Sequence, residues 1–146
     1  MTRDEMSKMA RNKQQDPYYD KEKFKKLCEE YKLSLVILHG SYSRQTASAK
    51  SDIDIGFLGQ EGLVGERYFD ILNDLTSIFG DRIDPVFLNG AEAMITYHVA
   101  VYGRPLYERQ KGLFNAFRLG ALLRYFDTKK FRLLEKQYIK SAIQGG

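Results

Sequence analysis

The cleanest alternation in the chain runs over residues 51–58 (SDIDIGFL), with Ile53, Ile55 and Phe57 on one side and Asp52 and Asp54 on the other. A period of two predicts a half-buried strand. Just ahead, residues 33–40 (LSLVILHG) form a short apolar run rich in β-formers and closed by Gly40, which predicts a buried strand. The small polar stretch between them, SYSRQTASAKS, is expected to turn, with one short helical piece. A helical period flanks this region. Phe24, Leu27 and Tyr31 predict a first helix over 19–31, and Phe69, Leu72, Leu75 and Phe79 form a stripe over 65–80 that Gly80 would stop. Residues 81–90 (DRIDPVFLNG) predict a third strand, and Pro85, which has no N–H to donate, puts it at an edge or a bulge.

Residues 91–103 predict a helix ending at Gly103, and 111–126 and 129–143 two further amphipathic helices. The predicted order is helix, strand, strand, helix, strand, then helices. It describes an α+β fold in which a small mixed β-sheet is flanked by helices. Residues 1–16 are polar and weakly patterned and are expected to form a flexible N-terminus, ahead of a domain at 17–110 and a C-terminal helical tail at 111–146. The tail has more apolar surface than one core-facing stripe needs. Phe114, Phe117, Ala121 and Tyr125 make one stripe, while Leu119, Leu122 and Phe126 lie off it. Two outcomes follow: the second stripe packs on another chain with Arg118 and Arg124 at the rim, or the helix at 129–143 folds back over it through Phe131, Leu134 and Tyr138.

Composition narrows the setting. A chain of 146 residues fits one domain, and 43% hydrophobic with 29% charged residues is ordinary for a globular protein in water. The single cysteine, Cys28, cannot form an internal disulfide and reads as a packing residue in a reducing compartment. No apolar run approaches the ~20 residues of a membrane span, and the N-terminus lacks a signal peptide's apolar stretch. A cytoplasmic protein is expected. The net charge of +4 is uneven: residues 104–140 hold ten Lys/Arg against three Asp/Glu, a net of +7. Such a segment suits either an anionic partner, nucleic acid included though not favoured, or a solvated helix face.

The chemistry concentrates in residues 40–54, GSYSRQTASAKSDID. Asp52 and Asp54, two apart on a strand, point to the same side, and such a pair is hard to keep together unless a cation joins it. Magnesium suits it: a hard ion commonly held by one or two carboxylates together with substrate phosphates. Gly40 and Ser41 follow the preceding strand, where a glycine lets the backbone approach a phosphate and N–H groups and a hydroxyl can bind its oxygens. His39 reads as a packed strand residue, His98 as a structural helix residue and Arg44 as a surface arginine.

Gly-Ser, ten residues, then Asp-x-Asp resembles the signature of the polymerase-beta-type nucleotidyltransferase superfamily. More closely, VILHGSYSRQTASAKSDIDIGFL resembles the minimal nucleotidyltransferases paired with HEPN proteins in prokaryotic toxin–antitoxin modules. HVAVYGRPLYER fits a downstream family helix ending in G-x-x-L-Y, and the likeness covers roughly residues 33–110. One departure is Gln45, which follows Arg44 where the family usually has glycine. The resemblance implies that Gly40 and Ser41 bind the triphosphate of ATP and that Asp52 and Asp54 hold Mg2+. Asp84, in RIDPVFL, would be the third carboxylate, completing the metal site and serving as base for the acceptor hydroxyl. It further implies transfer of AMP to a partner protein, a HEPN-type ribonuclease toxin. The alternatives are neutralisation by binding alone and a small-molecule, aminoglycoside-type transferase; a homo-oligomer is also compatible.

Overall fold

The computed structural model describes residues 17–40 and 52–145. The expected flexible segment 1–16, the turn after Gly40, Ser41, Arg44 and Gln45 lie outside the described residues. Within them the elements run α1 (Lys21–Glu30), β1 (Leu35–His39), β2 (Ile53–Leu58), α2 (Glu61–Glu66), α3 (Tyr68–Phe79), β3 (Ile83–Phe87), α4 (Ala93–Tyr102), β4 (Arg104–Glu108) and α5 (Leu113–Gly145). The four strands form one sheet in the order β3-β2-β1-β4, with β2–β3 parallel and the other two pairs antiparallel. The sheet is mixed and helix-flanked, as its pattern predicted.

Alternation along the strands divides the core between two faces. Val36, Leu38, Ile53, Ile55 and Phe57 pack with Phe24, Leu27, Cys28 and Tyr31 from the α1 side and Ile71, Leu75 and Phe79 of α3. On the opposite face Leu35 and Ile37 pack with Leu88, Val99 of α4 and Phe114 of α5. The α1 helix starts where the Asp20 carboxylate accepts from the N–H groups of Glu22 and Lys23, satisfying two donors that its first turn cannot pair. Pro85 sits in β3, an edge strand with one neighbour, so its missing N–H costs the ladder nothing. Gly103 ends α4, and close packing requires it: a Cβ there would collide with the Val99 carbonyl and the Ile37 side chain.

Four expectations need correcting. Residues 104–108 form β4, a strand not foreseen, because RPLYE is too short and too proline-marked to show its period; pairing with β1 makes it a strand. The predicted helix over 65–80 is two helices, α2 and α3, joined at Arg67. Leu75 and Phe79 are buried as expected, but Phe69 is exposed and Leu72 only half-buried, and Ile71 takes their place in the core. Finally, the tail is one helix of 33 residues and not two. No glycine or proline interrupts FDTKK, so the change of apolar stripe near Asp127 does not break the backbone. The fold-back alternative is thereby excluded.

Candidate active site

The strand registers assemble the site. His39, at the end of β1, lies opposite Asp54 of β2, and Asp54 lies opposite Asp84 of β3. Ladder partners point to the same face of a sheet. His39, Asp54 and Asp84 therefore form a row across three strands on the α4–α5 face, near the N-terminal ends of β2 and β3. Ile55, facing the other way, anchors β2 in the buried core, which fixes the direction of Asp54. Asp54 is half-buried and Asp84 exposed; Asp52 precedes β2 by one residue and is exposed.

Gly40 closes β1 against this row. Its φ of +69° lies in the left-handed region, and a Cβ on it would run into the Asp54 carboxylate. Both conditions select glycine. The sequence-predicted glycine and the second carboxylate of the Asp-x-Asp pair, Asp54, are thus in direct apposition.

His39 was not expected to take part. Its Nε2 is buried without a hydrogen-bond partner among the described residues. Burial lowers its pKa below the usual 6.5, with Asp84 pulling the other way. It presents an imidazole nitrogen beside the carboxylates, and its only sequence signal was its position one residue before Gly40. His98 is exposed on α4 and stacks on Tyr102. Cys28 is fully buried, as expected of a packing residue.

The donor set is carboxylate oxygen, the kind a hard divalent cation selects. Among the described residues no three His, Cys, Asp or Glu side chains are grouped to hold a metal on their own. A hard cation such as magnesium takes one or two carboxylates and fills its remaining positions with water and phosphate oxygens. Two cavities lie elsewhere among the described residues. One of about 370 Å³ is lined by Leu88, Asn89, Thr96, Phe117 and Arg124, and one of about 360 Å³ by Cys28, Lys32, Tyr107 and Arg109. The carboxylate row stands at one end of the sheet.

Residues 22–112 match the family model for polymerase beta nucleotidyltransferases. Over 80 residues the chain is 32% identical to the protein adenylyltransferase MntA of Shewanella oneidensis, covering 55% of this chain and 58% of that relative. The chain therefore matches less than two thirds of that relative's length. Its fold superposes with a TM-score of 0.67 and 25% identity on a chain of a toxin–antitoxin crystal structure with AMP-PNP, covering 83% of this chain and 98% of the other. A second likeness, of fold alone, is to a chain from tri-AMPylated Shewanella oneidensis HEPN toxin in complex with MNT antitoxin. There the TM-score is 0.56 at 22% identity, over 82% and 95% of the two chains. Since the family match takes in all four strands and the row of side chains they carry, this chain belongs to the polymerase beta nucleotidyltransferase family.

Proposed function

We propose that this chain transfers AMP from ATP to a hydroxyl of a partner protein, and that the partner is a HEPN-type ribonuclease toxin which the modification silences. The observation that carries the reading is the Asp54–Asp84 register pair against Gly40, in a chain with an adenylyltransferase among its relatives. Gly40 and Ser41 bind the triphosphate, the glycine by letting the backbone close on phosphate oxygens and the serine through its hydroxyl. Asp52 and Asp54 hold Mg2+, and Asp84 completes the set. Magnesium, when bound, would offset negative charge on the phosphates and make the α-phosphorus more open to attack. Asp84, exposed at the sheet edge, takes the proton as the acceptor oxygen bonds to the α-phosphorus. The bond from that phosphorus to the β-phosphate oxygen breaks, and pyrophosphate leaves. Among the described residues no helix is long and apolar enough to cross a membrane, and we place the protein in the cytoplasm.

The test is incubation with ATP labelled at the α-phosphate, magnesium and a HEPN-fold protein encoded beside this one. Label should pass to that protein and should fail to pass after chelation or in Asp54→Asn. A partner silenced equally well by Asp54→Asn, with no label transferred, would replace this reading with neutralisation by binding alone.

A further inference from the structure

The α5 helix is built for more contact than the described residues of its own chain supply. At 33 residues it is about 50 Å long. Phe114 and Ala121 are buried and Phe117 and Tyr125 half-buried on the side facing α4 and the sheet. On the far side, Leu119, Leu123, Phe126 and Leu133 are each more than half exposed, Leu123 standing where Leu122 was expected; Leu122 is half-buried. Their separations of four, three and seven residues, with Lys130 in the intervening slot, trace a heptad seam along the helix. Leu134 widens it. An apolar seam of this spacing, on an unbroken helix, is shaped to take the side chains of a second helix between its own.

Charge decides what kind of helix. Over α5 there are seven Lys/Arg against two Asp/Glu, a net of +5. At 100° per residue, Arg118, Lys129, Lys136 and Lys140 fall along one flank of the seam, and Lys130 lies within it. A second copy would bring +5 against +5 over the same length. An occupant with carboxylates at its flanks would meet these ammonium and guanidinium groups and also satisfy Lys130. We propose that the outer seam of α5 docks an amphipathic helix of a partner protein, with acidic residues bordering its apolar stripe. The proposal is independent of the transfer chemistry, because the seam shares no residue with the carboxylate row.

The test uses two synthetic helical peptides of about four heptads, both with leucine at the seam positions. One carries glutamate at every flanking position and the other lysine. Fluorescence anisotropy against the full chain should show the glutamate peptide binding, at least about tenfold more weakly at high salt than at low, and the lysine peptide not binding. The double variant Leu123→Lys, Phe126→Lys should bind at least about 100-fold more weakly, with an unchanged melting temperature, since both side chains already face solvent. Leu119→Gln with Leu123→Gln provides a neutral version should the lysines perturb the helix. Asp54→Asn should bind like the unaltered chain even if it abolishes transfer. Failure of both peptides to bind, equal binding of both, or undiminished binding by the seam variants would overturn the proposal. So would sedimentation showing a dimer that the seam variants dissolve, or binding to phosphatidylglycerol vesicles in place of the glutamate peptide.

Discussion

Asp54 and Asp84 face each other across the parallel β2–β3 ladder, thirty residues apart in the chain and one strand spacing apart in the sheet. Two carboxylates so placed repel each other in the free protein and become useful once a cation and phosphate lie against them. Removing one charge should separate function from stability. Asp54→Asn and Asp84→Asn should each lower AMP transfer by at least about 100-fold, while each variant stays folded. Labelled ATP with the acceptor protein measures the first, and a thermal melt without ligand the second. Full transfer by Asp84→Asn would remove that residue from the site.

Gly40 should tolerate no side chain. Gly40→Ala should cost about 1–2 kcal/mol for the left-handed backbone alone, and its Cβ should displace the Asp54 carboxylate and weaken ATP binding. Gly62→Ala is the control. Its Cβ would meet open space on α2, where alanine favours helix by about 0.5–1 kcal/mol. Denaturant melts and ATP titrations of the two proteins should move in opposite directions for stability and only in Gly40→Ala for affinity.

Cys28 should be chemically silent. Burial, with Glu29 adjacent, pushes its thiol up to about 12 from an ordinary value of 9.0. The folded state thus favours the protonated thiol. Its contribution to stability is complete below about pH 9 and is lost as pH rises from there through about 12. Native protein near pH 8 should react with a disulfide reagent at least about 100-fold more slowly than denatured protein. Cys28→Ala should lessen the alkaline loss of stability. A fast-reacting native thiol would refute the buried placement.

Tyr97 and Tyr125 fasten α5 to α4, their rings stacked 3.9 Å apart between centroids at 17°. Tyr125→Ala should cost about 1–3 kcal/mol and raise amide exchange over the first four turns of α5. Tyr125→Phe, which keeps the ring, should restore both. Unchanged exchange in the alanine variant would show that Phe114 and Ala121 hold the helix without the stack.

Local pattern determined a good deal here. Alternation over SDIDIGFL placed Ile53, Ile55 and Phe57 inside and Asp54 on the other face, because side-chain direction in a strand depends only on parity. Pro85 announced an edge strand through the donor it lacks, and Gly40 announced a position where a side chain would not fit. Pairing was not legible in the same way. That Asp84 stands beside Asp54, and His39 on its other side, depends on strand order and register, which arise from packing of the whole sheet. RPLYE became β4 only because β1 offered a free edge, a partner distant in sequence. The sequence also left two outcomes for the tail, since an apolar stripe says that something must cover it and not what. The tertiary structure removed one of them: α5 runs on unbroken, so the helix end does not fold back, and among the described residues no element covers its outer seam.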